Sequence, residues 1–357
     1  MKIAIDAMGG DFAPQKIVEG AVLSAQESKI PLILVGREEE LKAELKKYPA
    51  AQNLPIEIHH ASEVIGMEES PSKASKTKQD SSIVVASKLL AEGKADALVS
   101  AGNSGAVMTS ALRYLGRLEG IYRPAIATLM PTQKGHCIVA DVGANVDCKP
   151  EYLLQFAIMA KIVAQNILNA QNPKVGLLSI GEEKEKGNIL TKQAFPLLES
   201  CKALNFIGNV EGRDIPKGKA DVVVCDGFCG NVVLKTMEGT ADVMGKMIKS
   251  EINASFLAKI GYLFIRPALN KFKKKMDYAE YGGAPLLGVN GTCIISHGKS
   301  SAKAIKNAIK MAEKIVSNRV NEAIKNEIRN MPKTDLDPDL DEPNELKEST
   351  LASQIRK

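Results

Sequence analysis

Short, almost uninterrupted apolar runs recur along this chain, each closed by a turn of small residues and followed by a helical pattern. They are KIAID (Lys2–Asp6), PLILVG (Pro31–Gly36), PIEIHH (Pro55–His60), DALVSAG (Asp96–Gly102), AIATLM (Ala125–Met130), HCIVADVG (His136–Gly143), KVGLLSIG (Lys174–Gly181), ALNFIGNV (Ala203–Val210), ADVVVCDG (Ala220–Gly227) and TCIISHG (Thr292–Gly298). A strand apolar at nearly every position is buried on both faces, and strands alternating with helices build parallel sheets. The pattern predicts an α/β fold: a mainly parallel sheet with helices on both faces. The first helix is expected from about Pro14, since proline suits a first helical turn. No fixed-period repeat interrupts residues 1–330, which read as one large α/β unit. From Met331 onward proline and acids accumulate, periodicity stops, and residues 331–357 read as an acidic, disordered tail.

Composition narrows the function. No apolar run approaches the roughly 18 residues of a spanning helix. Met1-Lys2 leads directly into a strand-like run, with no secretory pattern, so the expectation is a cytoplasmic chain. Aromatics make up 4% and Trp is absent, which argues against base-stacking platforms and nucleic acid. Seven acids against one base between Asp335 and Glu348 leave +11 on the rest of a chain whose net charge is +5. A basic body suits anionic partners: phosphate groups, acidic proteins or lipid headgroups. The cysteines (Cys137, Cys148, Cys201, Cys225, Cys229 and Cys293) form no C-x-x-C, and the histidines form no H-E-x-x-H. A metal site is not expected, and the thiols read as small buried apolar groups.

The stretch Asn253–Tyr278 stands apart. Phe256, Ile260 and Phe264 recur at helical spacing, Leu263 lies beside them, and Arg266, Lys271, Lys273, Lys274 and Lys275 follow with no acid before Asp277. A helical hairpin at about 240–280 is expected, with Pro267 breaking or kinking it. Its apolar tip and basic flank fit a core or dimer interface, a foot on an anionic membrane surface, or both.

Six turns combine glycine with Asn, Ser, Asp or Lys: DAMGGDFAP (Asp6–Pro14), SAGNSGA (Ser100–Ala106), DVGANVD (Asp141–Asp147), SIGEEKEKGN (Ser179–Asn188), DGFCGN (Asp226–Asn231) and SHGKSS (Ser296–Ser301). Ligands of open α/β sheets bind at strand carboxyl ends, and glycine lets backbone N–H groups reach an anion at a helix start. The turns are therefore expected to share one rim. No two glycines are separated by a single residue, so the dinucleotide fingerprint G-x-G-x-x-G is absent. Gly298-Lys299-Ser300 ends like a P-loop, but Cys293 stands where its first glycine belongs. There is no G-x-S-x-G nucleophile elbow. What remains is a site that positions an external anion.

Those turns, with KPEYLLQFA, GNVEGRD, DGFCGNVVLK and GGAPLLGVNG in order between them, resemble the bacterial phosphate acyltransferases of phospholipid synthesis, the PlsX family, over about Met1–Asn330. Ser104 stands where that family more often has Thr, and Ile180 where a polar residue is usual. The resemblance implies an isopropylmalate-dehydrogenase-like fold, a homodimer, and no metal or nucleotide cofactor. It implies transfer of a fatty acyl group from acyl carrier protein to inorganic phosphate. The acyl phosphate would pass to a membrane-bound glycerol phosphate acyltransferase, from an enzyme peripherally associated with the inner face of the cell membrane. Acyl carrier protein is acidic, which suits the basic body.

On that resemblance Asn103, Ser104 and Gly105, with the backbone of their helix start, cradle phosphate, and Lys184 or Lys186 neutralises it or the developing oxyanion. Asp226 and Asn231 orient donors or accept a proton, and His297 protonates the leaving thiolate or donates to the oxyanion. Arg213 reads as an anion ligand or a surface ion pair. Asp6, Asp11 and Asp147 are expected to fix loops. Lys235 reads as a solvated or interface lysine, and His59, His60 and His136 as structural or surface residues. Membrane contact falls to Phe256, Leu263, Phe264, Lys273 and Lys274. Two other classes stay open: an oxidoreductase of the same shape, and a non-catalytic lipid-surface adaptor.

Overall fold

The computed structural model describes residues 1–276, 280 and 282–331, without the side chains at 273, 274 and 276. The first half of the chain forms β1 (Ile3–Asp6), α1 (Gln15–Ser28), β2 (Leu32–Gly36), α2 (Glu38–Leu45), β3 (Ile56–His60), α3 (Pro71–Thr77), α4 (Ser82–Ala91), β4 (Ala97–Ser100) and α5 (Ser104–Tyr114). A hairpin of β5 (Ala125–Thr132) and β6 (Gly135–Ala140) follows, then α6 (Pro150–Ile167), β7 (Lys174–Leu178), α7 (Ile189–Ser200), β8 (Asn205–Val210) and β9 (Val222–Val224). Two long helices, α8 (Gly227–Ala254) and α9 (Phe256–Met276), precede β10 (Ala284–Leu287), β11 (Thr292–Ile295), α10 (Ala302–Ser317) and α11 (Val320–Arg329).

The strands make one eleven-stranded sheet in the order β3-β2-β1-β4-β11-β10-β5-β6-β9-β7-β8. Side chains alternate across it. Ile3 and Ile5 of β1, Leu32 and Leu34 of β2, and Ala97 and Val99 of β4 pack on one face with α1, α6, α7, α10 and α11. Ala4, Ile33, Val35 and Leu98 pack on the other with α4, α5 and Val233, Leu234 and Met237 of α8. Apolar residues at both parities are what a sheet covered on both faces requires. The expected α/β class, with a mainly parallel sheet between helical layers, is what the structure shows.

Direction within the sheet departs from expectation. β1, β2, β3, β4 and β11 are mutually parallel, and so are β6, β7, β8 and β9. Between the two sets, β11 to β10, β10 to β5 and β5 to β6 are each antiparallel steps. An odd number of reversals turns the second set against the first. The carboxyl ends of β1, β4 and β11 therefore lie at one edge of the sheet, and those of β6, β7 and β9 at the other. The six glycine-bearing turns do not share one rim; they form two groups of three.

Pro267 lies inside α9 and does not end it. Proline removes one donor, and the carbonyl it leaves without its helical partner belongs to Leu263, a residue 65% exposed. Met331 is buried against the core rather than starting a loose tail. The acidic tail itself, 332–357, lies outside the described residues.

Candidate active site

At the first edge β1 ends on Asp6, a carboxyl only 2% exposed. Ser100 Oγ, at the end of β4, donates to Asp6 Oδ2 at 2.6 Å, and the Gly102 N–H donates to Ser100 Oγ at 3.0 Å. A Cβ on Gly9 would collide with that carboxyl, so the turn wraps it only because Gly9 has none. The turn after β11 joins the group: Ser296 N–H donates to the Ser100 carbonyl at 2.8 Å, and Asp11 N–H to the Gly298 carbonyl at 2.8 Å. Burial pushes the Asp6 carboxyl above its ordinary value, against the lowering by Ser100. Asp6 Oδ1 is buried without a hydrogen-bond partner among the described residues.

Asn103, Ser104, Gly105 and His297 belong to this edge. Asn103 caps α5, its Oδ1 accepting from the Ala106 N–H at 3.1 Å. Its Nδ2 donates to the Met67 and Glu69 carbonyls at 3.0 and 3.1 Å. The amide is thus committed to fastening residues 66–69 and capping α5, while Ser104 is exposed. Gly105 lies against Pro71, whose Cγ a Cβ would approach to 2.6 Å. His297 Nδ1 accepts the Lys299 N–H at 3.1 Å, which puts the ring proton on Nε2. Burial, then Lys235, lowers the His297 pKa, so the ring is neutral near pH 7 and serves as a donor.

At the opposite edge β6 ends before Asp141, which is fully buried. Its Oδ1 accepts from the N–H groups of Ile126, Gly143 and Ala144 at 3.0, 3.2 and 3.0 Å. Its Oδ2 accepts from the Asn145 N–H and Nδ2 at 2.6 and 2.9 Å. Burial still outweighs these bonds and raises its pKa. Asp226 caps α8 by accepting from the Cys229 N–H at 2.8 Å. Gly227 N–H donates to the Asn145 carbonyl at 2.7 Å, and Gly230 lies so close to the Asp141 carbonyl that a Cβ there would collide. Asn231, exposed on the first turns of α8, flanks Gly143.

Lys184, Lys186 and Arg213 also belong to the second edge. The loop after β7 is bracketed by Asn209 Nδ2 on the Glu183 carbonyl (2.8 Å) and by Ser179 Oγ on the Lys186 carbonyl (3.2 Å). Lys184 turns toward α7, pairing with Glu199 at 2.5 Å and lying 4.9 Å from the Phe195 ring centroid. Lys186 is exposed with no acid within ion-pair reach among the described residues. Arg213 pairs with Glu211 at the surface.

The two edges are joined by α8. β10 pairs Ala284 with Ile295 at one end and Leu287 with Ala125 at the other. From Ala284 to Leu287 is about 10 Å, three steps of roughly 3.3 Å each. From Gly227 to Lys235, α8 rises about 12 Å at 1.5 Å per residue, enough to pass from one edge to the other. Lys235 and Glu238 accordingly stand within electrostatic reach of His297.

Asp147, expected to fix the DVGANVD loop, is exposed, and Asp141 is the buried pin; the sequence signal for Asp141 is a carboxylate directly following an apolar strand. The thiols are poor nucleophiles: burial pushes Cys137, Cys148 and Cys293 up to about 12 and Cys229 to about 11. Phe256, Leu263 and Phe264 are all exposed on α9, while the side chains of Lys273 and Lys274 lie outside those described. Among the described residues, no helix is long and apolar enough to cross a membrane, and no three His, Cys, Asp or Glu side chains gather as metal ligands.

A family model described as a fatty acid synthesis protein matches residues 1–323. A phosphate acyltransferase of Endomicrobium trichonymphae is 55% identical over 310 residues, covering 86% of this chain and 91% of that protein. One of Dictyoglomus turgidum is 56% identical over 308 residues, with coverages of 86% and 91%. Among solved structures, a phosphotransacetylase from Streptococcus pyogenes superposes with a TM-score of 0.56 at 18% identity, covering 90% of this chain and 94% of that one. At that identity the likeness speaks to the fold.

Proposed function

Because the chain belongs to the PlsX family of phosphate acyltransferases, and is therefore an acyltransferase of fatty acid and phospholipid synthesis, we propose that it moves a fatty acyl group from acyl carrier protein to inorganic phosphate. The observation that carries this reading is the α8 bridge. Asn231 stands at the Asp141 edge and His297, a neutral donor, at the Asp6 edge, with glycine-lined turns beside both. Phosphate held between them needs no protein nucleophile. An oxygen of HPO4 2− attacks the thioester carbon and a C–O bond forms. The carbonyl oxygen becomes an oxyanion, and collapse breaks the C–S bond. The thiolate leaves with the proton that phosphate brought, so the exchange gives acyl phosphate and free thiol with no outside proton. His297 Nε2–H and Asn231 stabilise the oxyanion, Lys184 trades Glu199 for the incoming charge, and Asp226 holds the α8 start at its position. Lys186, Ser104 and Gly105 offer further anion contacts.

The helical pair supports the partners in this reading. In the single chain Val243, Met244, Met247 and Ile248 of α8, and Phe256, Leu257, Leu263 and Phe264 of α9, are exposed. The α8 residues suit a second copy of the chain and the α9 residues, beside Lys259, Arg266 and Lys271, an anionic membrane surface. There the acyl phosphate would reach a membrane-bound glycerol phosphate acyltransferase, which makes the enzyme peripheral to the membrane. Phe264→Asp is expected to reduce binding to anionic liposomes while turnover without lipid stays near wild type; unchanged binding would assign α9 to a protein interface.

The reaction is tested by incubating the chain with palmitoyl acyl carrier protein and phosphate and trapping product with hydroxylamine. Phosphate-dependent acyl hydroxamate is the expected result, and its absence rejects the reading.

A further inference from the structure

We propose that Lys235 is an anion-contacting residue of this site, kept in an ion pair with Glu238 until the substrate oxyanion takes Glu238's place. This rests on the phosphate acyl-transfer reading above. Lys235 follows Asn231 by four residues, so both occupy one face of α8. The helix cannot rotate that face away, because Val233, Leu234 and Met237 are packed against the core. Asn231 flanks Gly143 at one edge of the sheet. One turn further on, Lys235 is within electrostatic range of His297; the Lys299 N–H donates to His297 Nδ1 at 3.1 Å and the Asp11 N–H to the neighbouring Gly298 carbonyl at 2.8 Å. The lysine thus stands where the two edges meet, between an amide and a neutral imidazole that both donate.

In the structure its ammonium bonds Glu238 at 3.0 Å, three residues along the same helix, with half of the lysine side chain exposed. Exposed pairs of this kind are weak. A phosphate dianion brings twice the charge of a carboxylate and accepts from several donors at once, so it competes well for the same ammonium. Glu238 then shields the cation in the empty enzyme.

Lys235→Met and Glu238→Gln break the same ion pair, and comparing them separates the proposal from a structural role. If Lys235 contacts phosphate, Lys235→Met raises the KM for phosphate on the order of tenfold, the loss of one charged contact. The KM for the acyl donor stays near wild type, and Glu238→Gln leaves the phosphate KM unchanged or lower. Equal effects of the two variants, or a phosphate KM unmoved in Lys235→Met, overturn it. A second readout needs no turnover. In NMR titrations Lys235→Met should raise the His297 pKa. Added inorganic phosphate should shift the His297 resonances in the wild type and much less in Lys235→Met. A His297 titration identical in both proteins places Lys235 elsewhere and overturns the proposal. Absence of phosphate-dependent acyl hydroxamate from the wild type would reject the reaction itself, and the NMR comparison would still decide the phosphate contact.

Discussion

The two edges of the sheet solve one problem in different ways. Each ends a strand on a buried aspartate and folds glycine-rich turns around it. At the Asp141 edge both carboxylate oxygens are bonded, by the N–H groups of Ile126, Gly143, Ala144 and Asn145 and by the Asn145 amide. At the Asp6 edge Oδ2 accepts from Ser100, and Oδ1 has no hydrogen bond of ordinary geometry among the described residues, although Ser82 and the backbone of Met8 and Gly9 also favour the charged carboxylate. The first arrangement is a pin: it fixes the turn from which Asn231 and α8 start. The second is a looser knot, tying three turns together through Ser100, Ser296 and Gly298. A fully bonded buried carboxylate is costly to remove, because every donor it served is orphaned, whereas a half-bonded one is sensitive chiefly to its own charge.

The comparison breaks first, if at all, at the pin. Asp141→Ala leaves several buried N–H groups unpaired and should cost about 3 kcal/mol or more of stability, read from urea midpoints; a loss below about 1 kcal/mol would deny the pin. Next come the residues of that edge proposed for chemistry. Asn231→Ala and Lys184→Ala should each remove about 2 kcal/mol of transition-state stabilisation at unchanged urea midpoints, and wild-type turnover in both would move the chemistry elsewhere. Asn103→Ala should show mainly as stability, about 1 kcal/mol for a lost helix cap, measured by thermal unfolding; a large fall in turnover with no change in melting would make Asn103 a ligand rather than a cap.

The smallest effect sharpens the contrast. Because burial raises the Asp6 pKa above 3.8, the folded chain binds more protons than the unfolded one between 3.8 and the raised value. Stability therefore grows as pH falls across that window. Asp6→Asn should abolish its share of that rise and stay within about 1 kcal/mol of wild type at pH 7. An unaltered pH slope would mean that Asp6 carries its charge at no cost.

Much of the fold was legible because burial on both faces writes itself locally, as apolar runs such as KIAID and ADVVVCDG. Strand direction does not, and β10 carries no strand signal of its own: APLL is short, begins beside Gly282 and Gly283, and contains a proline. One clue to the reversal was in plain sight. β5 ends at Thr132 and β6 begins at Gly135, a gap too short for a crossover, so those strands had to form an antiparallel hairpin. The turns themselves were found, since glycine, Asn and Asp after an apolar strand are unmistakable. Their division between two edges, the pairing of Lys184 with Glu199, and the approach of Lys235 to His297 depend on which elements meet in space, and no local pattern encodes that.

Phosphate bridging the two edges along the first turns of α8 is the central step of the proposed reaction. A crystal structure of the chain soaked in inorganic phosphate tests this most directly. The account predicts one phosphate within hydrogen-bond reach, about 2.7–3.2 Å, of both Asn231 and His297. A phosphate bound by the α5 start alone, or by the loop after β7 alone, with Asn231 untouched, would contradict it.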